Sequence, residues 1–430
     1  MLKLRRAIVM HAGPPDGPEQ ELTIELGGRA RRAIADIALV GAAQARDEVI
    51  VNTQALDLGL GSGGYDIVHV NLTRGLAGDP SVAQPSPADS SPTYPVMKLN
   101  YTSLQHAVSP VEDERVLELP LRGPVGVLAL HGQLAPVAWA FAEAFPGTKL
   151  GYVQTGGGAL PGGHSRVVRK LRERGLLAGH LTAGAAFGGE GEAVTTAGAL
   201  HHGLGVLGWD AAVCGPGPGI VGSSSPLGHG GLAALDSAHT ALALGSETLL
   251  VARMSSGDLR ARHRGISHHT LTVLDLLLAP VTVALPAGMR SPVGADLRAG
   301  LGAVFGASRS SGRGVEADGE RSIDDQSIFN RPARINRHDW RRAVVDLPAY
   351  ADSGLPAQTM GRGLIEDPLF FGAALAGGVA LGGLVFEEGR ASADRSGVEA
   401  GAEPRVEAGP EARAQAGQAG AQEMDAKLQV

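Results

Sequence analysis

Several features that mark particular protein classes are scarce in this sequence. Its single cysteine, Cys214, excludes an internal disulfide and is compatible with a reducing compartment. Basic residues are not in excess: 37 Lys and Arg against 44 Asp and Glu give a formal net charge of −7, so broad nucleic-acid binding is not expected. Aromatic residues make up only 4% of the chain, whereas its 63 glycines favour close backbone packing and glycine-rich loops.

Long apolar runs are also rare. Near the N-terminus the run Ala7–Met10 is too short for the apolar core of a signal peptide. One uncharged stretch, Pro368–Phe386, is long enough to cross a membrane, but its hydrophobicity rests on Ala and Gly, so a buried helix is the expected structure. We therefore expect a cytoplasmic protein without a membrane partner, and the membrane alternative for this stretch stays open.

The N-terminal part has the pattern of a small β-structure. We expect residues 1–20 to be flexible and residues 21–73, where short alternating runs are separated by glycine pairs, to form a small β-barrel or β-sheet module. The glycines within Leu58–Asp66 resemble a dinucleotide-binding loop. Because a strand pattern and not a helix follows them, a tight β-connection is the better interpretation. Residues 74–97, rich in Pro and Ser, predict a linker.

The second part of the chain alternates short apolar runs with helical patterns. This alternation predicts an α/β fold for residues 98–288, with a doubly wound, mostly parallel, Rossmann-like sheet and helices on both faces. One of the predicted helices is Glu192–Leu207. Residues 289–334 lose periodicity and predict a flexible insertion, and 335–388 predict a segment that packs on the α/β domain. Residues 389–430, with few large apolar side chains, predict a disordered tail.

Four loops at predicted strand ends carry the candidate ligand-binding residues. In a doubly wound sheet such loops converge on one crevice, and their glycines let backbone N–H groups approach an anion. The candidates in the first three loops are Gly156, Gly157, Gly188, Gly189, Glu190, Gly215, Gly217, Gly219, Ser223, Ser224, Ser225 and His229. None of these loops matches the GxxxxGK[ST] pattern, which disfavours a P-loop nucleotide hydrolase.

The fourth loop, Asp258–Thr270, is dense in arginine and histidine. Arg262 and Arg264 are candidate clamps for a phosphate or carboxylate, and the histidines, which are His263, His268 and His269, are candidate acid/base catalysts. A metal site that adds His229 or Glu190 is an alternative, although the HExxH spacing is absent and no metal is assigned. Histidines that only pack and cap the following helix, beside solvated arginines, are the third interpretation.

Several segments have distinctive sequences that occur together. These are TAGAAFGGEGEAV (182–194), GPGPGIVGSSSPLGHGG (215–231), RHRGISHHTLT (262–272), TMGRGLIEDP (359–368), NTQALDLGLGSGGYDIV (52–68) and KLNYTSLQHAV (98–108). Together they resemble the DUF3866 family, over roughly residues 1–388. The family has no assigned activity, so the resemblance implies the choice of segments and no reaction. The family tends to carry an Asp where Gly156 stands here, which puts an acid/base role for that loop in doubt.

These observations lead to one function hypothesis and two alternatives. We expect the α/β domain to bind a small anionic ligand, for which a phosphorylated compound is one candidate. If the protein is an enzyme, we expect a histidine to act as acid or base. The alternatives are a non-catalytic sensing or scaffold protein whose β-module contacts a partner, and a metal-dependent hydrolase. The sequence names no cofactor, predicts no nucleic-acid partner, is compatible with a homo-oligomer, and leaves substrate and reaction open.

Overall fold

The computed structural model describes residues 2–59, 63–76, 95–113, 117–158, 161–223, 225–287 and 331–399, of which 331–333 and 391–399 are described by their backbone alone. The chain divides into two units, Met1–Glu388 and Gly389–Val430. Most of the expected linker, of the expected insertion and of the expected tail therefore lies outside the described residues, as does part of the glycine loop within Leu58–Asp66. The described ends of the linker and of the insertion belong in part to a strand, Val96–Lys98, and to a helix, Arg331–Asn336.

The N-terminal strands form a closed barrel. They are β1 (Leu4–Ala12), β2 (Glu19–Leu26), β3 (Arg29–Asp36), β4 (Glu48–Asn52) and β5 (Asp66–Asn71), with short helices α1 (Ile37–Val40) and α2 (Gln54–Asp57). The order is β1-β2-β3-β5-β4, β4 closes onto β1, and only β3 and β5 pair in parallel. This is the strand order of an OB-type Greek-key barrel, and it confirms the predicted β-module.

The expectation that residues 1–20 are flexible is wrong. Leu4–Ala12 is the strand that closes the barrel, since it pairs with β2 on one side and β4 on the other. Ala7 and Val9 are buried in the barrel core, whereas most of the residues between and around them are exposed. Two small inward side chains among arginines give a weak strand pattern, so closure of the barrel and not local sequence fixes this strand.

The remaining elements follow in chain order. They are β6 (Val96–Lys98), β7 (His106–Val108), β8 (Val125–Leu128), α3 (Leu134–Ala144), β9 (Leu150–Thr155), α4 (Arg166–Glu173), β10 (Gly179–Ala183), β11 (Gly191–Ala193), α5 (Thr196–Leu200), β12 (Ala211–Pro216), α6 (Ala233–Ala243), β13 (Thr248–Val251), β14 (Met254–Ser255), β15 (Gly265–Ile266), α7 (His268–Leu276), β16 (Thr282–Pro286), α8 (Arg331–Asn336), β17 (Asp339–Ala343), α9 (Leu347–Asp352), β18 (Gln358–Thr359), β19 (Arg362–Gly363) and α10 (Pro368–Glu399).

Eight described strands form one all-parallel sheet in the order β11-β10-β9-β12-β8-β13-β16-β17. Helices α5, α6 and α7 pack on one face, and α3, α4 and α10 on the other, so the predicted Rossmann-like α/β fold is confirmed. Every residue of β8, β9, β12 and β13 is buried, as expected for strands covered on both faces.

The helix predicted over Glu192–Leu207 begins later than expected. Gly191–Ala193 is instead the edge strand β11, which pairs in parallel with β10. The Thr195 side chain then accepts a hydrogen bond from Gly198 N and caps α5, which continues as a π-helical turn over His201–Val206. Pairing at the sheet edge therefore overrides the helical pattern of the first residues, because only an extended backbone can satisfy the free edge of β10.

The apolar stretch at residue 368 forms the start of α10. By length and composition the helix could cross a membrane, yet 72% of its most apolar window is buried within the protein. A Cβ on Gly378 would lie 2.3 Å from the Val137 carbonyl oxygen, and one on Gly382 would overlap the Phe145 ring, so glycine lets α10 lie tight against α3. The buried-helix prediction is confirmed, and the helix extends to Glu399, into the expected tail.

Candidate functional site

Four buried histidines come together at the carboxyl edge of the central strands in the described part of the chain. His229 lies in the loop after β12, His263 in the loop after β13, and His268 and His269 in the first turn of α7. The ring centroids of neighbouring members are 3.5 to 5.7 Å apart. We call these four residues the histidine cluster.

The order of the strands explains why these loops meet. β8 lies between β12 and β13 in the sheet, but the chain leaves β8 toward α3 on one face, whereas β12 and β13 lead to α6 and α7 on the other. Adjacent connections that leave a sheet toward opposite faces open a crevice at the strand ends. The loops after β12 and β13 therefore meet above the end of β8, where a Cβ on Gly231 would contact Ala129, His229 and His269.

Local structure orients the histidines of the fourth loop. Strands β14 and β15 pair as Met254↔Ile266, which brings the loop back to its starting point. Ser267 then caps α7, because its Oγ accepts from His269 N. The cap fixes the first helical turn, so that the two consecutive histidines after it are buried beside the returning loop.

The hydrogen bonds leave several ring nitrogens of the cluster without partners. His263 Nδ1 lies 2.8 Å from Ser267 Oγ. Arg253 NH1 lies 2.7 Å from His269 Nδ1, and since a guanidinium only donates, this nitrogen is the acceptor. His268 Nε2 and both ring nitrogens of His229 are buried with no well-formed hydrogen bond among the described residues. Buried polar atoms without partners are rare in native proteins and are candidates for ligand contact.

Burial keeps the whole cluster neutral near pH 7. It lowers the pKa of His263 to about 3 and that of His268 to about 4, with the positive charge of neighbouring arginines as a further cause. The pKa of His229 and that of His269 are lowered for the same first reason. Neutral imidazoles carry a free lone pair, so the cluster can accept protons or ligate a cation.

A buried arginine that the sequence analysis missed lies beside the cluster. Arg253 directly follows β13, and only 3% of its surface is exposed. Burial lowers its pKa to about 10, so it stays charged at neutral pH. Its NH2 lies 3.8 Å from Asp258 Oδ2, whose carboxylate is held more closely by Arg260 at 2.8 and 2.9 Å. Its position at the carboxyl end of a central strand was the signal that could have identified it.

A second carboxylate ties this loop to the C-terminal segment. Asp367 is fully buried and accepts from Ser255 Oγ at 2.6 Å, Ser256 N at 2.8 Å and Arg362 Nε at 3.0 Å. Burial alone would raise the pKa of Asp367, but these hydrogen bonds outweigh it and the pKa is lowered. The carboxylate thus fixes the start of the loop that carries Asp258 and the histidines.

The two arginines predicted as clamps have different environments. Arg262 is partly buried, its Nε has no hydrogen-bond partner among the described residues, and its charge contributes to the lowered pKa of His268. Arg264 is exposed, and its Nε donates to the Asp258 carbonyl at 2.9 Å. Arg262 is therefore free to contact a ligand, whereas Arg264 braces the loop.

The glycine loops after β9 and β12 lie against each other. A Cβ on Gly157 would contact the Gly230 carbonyl oxygen at 3.1 Å, next to the cluster residue His229. Gly217 packs on Gln154, and Gly215 lies inside β12 against Leu128. The other two glycines predicted here, Gly156 and Gly219, lie in the same two loops. The structure brings these loops together next to His229.

Two of the three predicted serines, Ser223 and Ser225, lie in an exposed turn. Ser223 Oγ donates to the Gly228 carbonyl at 3.0 Å and accepts from Ser225 N, and Gly222 bridges to His229 at the base of the turn. Ser224 lies outside the described residues. The described serine hydroxyls thus hold the turn that presents His229.

Gly188, Gly189 and Glu190 lie elsewhere, at the β10 and β11 side of the sheet. Glu190 is half-exposed and pairs with Arg172 of α4. A Cβ on Gly188 would contact the loop after β9 near Gly162, and one on Gly189 would contact β10. These described contacts separate the three residues from the histidine cluster.

A second buried group was also missed by sequence reasoning. His131 Nε2 lies 2.8 Å from Ser165 Oγ, and the Tyr152 ring stacks on His180 at a centroid distance of 5.2 Å. Burial lowers the pKa of His131 and of His180 to about 4. Ser165 also caps α4 by accepting from Val168 N, so this group anchors the helix to the sheet.

Comparison with known proteins supplies a family and no activity. Neither the curated proteins nor the solved structures contain a match to the chain. The family model described as "Protein of unknown function (DUF3866)" matches residues 32–378, from β3 into α10, and the chain therefore belongs to this family.

Proposed function

We propose that the chain binds a small anionic ligand in the crevice at the histidine cluster. One observation carries the proposal: a buried, charged Arg253 lies beside four buried, neutral histidines at the carboxyl edge of the central strands. A desolvated guanidinium binds a carboxylate or phosphate strongly, because little of its charge is screened by water. Arg262 supplies a second positive charge at this edge, and the close packing of Gly157 on Gly230 brings the loops after β9 and β12 together beside it.

The proposed chemistry is proton transfer to or from the bound anion. A neutral imidazole such as His268, with a buried and unpaired Nε2, accepts a proton from a ligand hydroxyl or an attacking water. Its lowered pKa makes it a weak base. A nearby anionic ligand would raise this pKa toward 7, because it stabilises the protonated imidazole. The protein is thus proposed to be an enzyme on a carboxylate or phosphate ester. Its proposed location is the cytoplasm, on the grounds that its most apolar helix is largely buried.

The alternative is a sensor that binds the same anion without turnover. The outer side of β1 favours it, since Leu4, Ile8 and Met10 expose 40%, 40% and 55% of their surface and could contact a partner. Nuclear magnetic resonance of each stabilising compound, incubated with the protein, separates the two functions. Product formation supports the enzyme, and an unchanged compound supports the sensor.

A thermal-shift screen in the presence of EDTA tests the anion site. The compounds are inorganic phosphate, sugar phosphates, nucleotides and organic acids. A ligand at about 100 times its Kd stabilises the fold by about 2.7 kcal/mol, which raises Tm by roughly 3–4 °C in a protein of this size. Arg262→Ala is expected to abolish the shift, and Arg5→Ala, an exposed barrel arginine, to leave it unchanged. No stabilising anion, or an equal shift in Arg262→Ala, would contradict the proposal.

A further inference from the structure

We propose that the histidine cluster binds one divalent first-row transition metal ion of the zinc class. His263, His268 and His269 each offer one ring nitrogen, and these three atoms all lie within 4.8 Å of one another. Nitrogens bound to one tetrahedral zinc ion lie about 3.4 Å apart, since each bond is about 2.0–2.1 Å long. The three nitrogens must therefore approach one another by at most about 1.4 Å to meet at one ion.

The unpaired nitrogens of the cluster indicate what is bound there. His268 Nε2 and both nitrogens of His229 are buried without well-formed hydrogen bonds among the described residues. A metal ion bound to His268 Nε2 would take the lone pair that proton transfer requires, so the two roles of His268 are alternatives. His229, which stacks on His269 at a centroid distance of 3.5 Å, is a further nitrogen donor. A cluster that only packs and caps a helix would not leave His268 Nε2 buried without a partner.

The surroundings of His263 are those of a prepared metal ligand. Ser267 Oγ lies 2.8 Å from His263 Nδ1 and is positioned to accept its hydrogen, which leaves the Nε2 lone pair for the ion. Such a second hydrogen bond fixes the tautomer and orientation of most metal-bound histidines. Ser267 is itself fixed as the cap of α7, so the ring of His263 is held by the fold.

The same geometry assigns a role to Arg253. It donates to His269 Nδ1, so a metal bound through that nitrogen must displace the guanidinium. The freed Arg253 would lie beside the ion, and the two positive groups would share an oxyanion such as a carboxylate or a phosphate group. This last step rests on the proposed anion binding, whereas the metal site itself does not.

Metal binding is measured first on the untagged full-length chain. Elemental analysis after purification without chelators, followed by EDTA treatment and titration with Co²⁺, is expected to give one metal ion per chain. The cobalt complex should have the visible absorption of a four- or five-coordinate ion, and Zn²⁺ should displace it.

Variants then locate the ion. His268→Ala and His263→Ala are expected to weaken Co²⁺ binding on the order of 100-fold or more, because each removes a direct ligand. His11→Ala, which changes an exposed barrel histidine, should bind as the wild type does. Circular dichroism confirms that each variant is folded. If a variant does not fold, the stoichiometry and spectrum of the wild-type complex still decide the question.

Two outcomes would overturn the metal site: no cobalt complex with the wild type at about 100 μM metal, or an equal loss of binding in His11→Ala. The anion screen in EDTA keeps the two proposals apart. Stabilisation by an anion with no metal bound supports the anion site alone. One metal ion per chain without any response to anions supports the metal site and contradicts the anion site.

Discussion

Replacing Asp367 with asparagine is expected to loosen the loop that carries the site. The fully buried carboxylate accepts from Ser255 Oγ and Arg362 Nε through Oδ2, at 2.6 and 3.0 Å. Its Oδ1 accepts from Ser256 N and Gly257 N, at 2.8 and 3.3 Å. Asparagine keeps one of the two oxygens. The other oxygen is replaced by an NH2 group, which donates hydrogen bonds and so cannot accept them from the surrounding donors. The ion pair with Arg362 would also be lost.

The expected cost follows from these contacts. Removing one partner of a buried, hydrogen-bonded ion pair destabilises a protein by about 3–5 kcal/mol. Arg362 keeps 19% of its side chain exposed, and it also lies 3.4 Å from Asp258, so part of its charge remains compensated. We therefore expect the lower end, a loss of about 3 kcal/mol in the free energy of unfolding.

Urea unfolding followed by circular dichroism measures this loss. Asp339→Asn is the matched control, because Asp339 keeps 58% of its side chain exposed and pairs with Arg341 at the surface. Its loss should cost less than about 1 kcal/mol. If Asp367→Asn unfolds at the same urea concentration as Asp339→Asn, the buried carboxylate does not stabilise the loop. The Asp367 variant should also lose any metal and anion binding, since the loop after β14 would be released.

Two further predictions concern the core and the pH dependence. Gly151→Ala should lower the free energy of unfolding by about 3 kcal/mol or more, or prevent folding, since its Cβ would lie 1.9 Å from the Trp209 ring. Gly205→Ala is the control, because open space surrounds this position, and its thermal melt should be close to that of the wild type. Burial lowers the pKa of His131 and of His180 to about 4 in the folded chain, whereas their pKa is about 6.5 in the unfolded chain. The unfolded state therefore binds protons first as pH falls. Stability should therefore drop by roughly 2 kcal/mol per histidine between pH 7 and 5, and an unchanged Tm over this range would contradict their burial as neutral groups.

The central sheet was predictable because its strands are short apolar runs separated by helical patterns. Burial on both faces gives such strands an unbroken apolar sequence, as in β9 and β12. The barrel was recognised from alternation, but β1 was missed because Ala7 and Val9 are its only fully buried residues. The edge strand β11 was missed because three residues of strand carry too little pattern to compete with the helix that follows.

The sequence predicted the part of the candidate site whose charged and titratable residues are close together in the chain. The histidines and Arg262 stand out in sequence, since charged and titratable residues gather at a strand-to-helix turn. Arg253 and Asp367 do not stand out. Each is one polar residue at the end of an apolar run, and its importance comes from burial beside partners that are 16 and 112 residues away. Burial of this kind depends on the packing of distant segments.

By itself the sequence determined the α/β class, the barrel before it, the buried helix after it and the loop that carries three of the four clustered histidines. Periodicity and local polarity are properties of neighbouring residues, and they are readable without a fold. Only the tertiary structure decided that His229 joins His263 and that Gly188 and Glu190 do not. The reason is the strand order: β8 separates β12 from β13 and leaves toward the opposite face, so two loops distant in sequence meet above the end of β8.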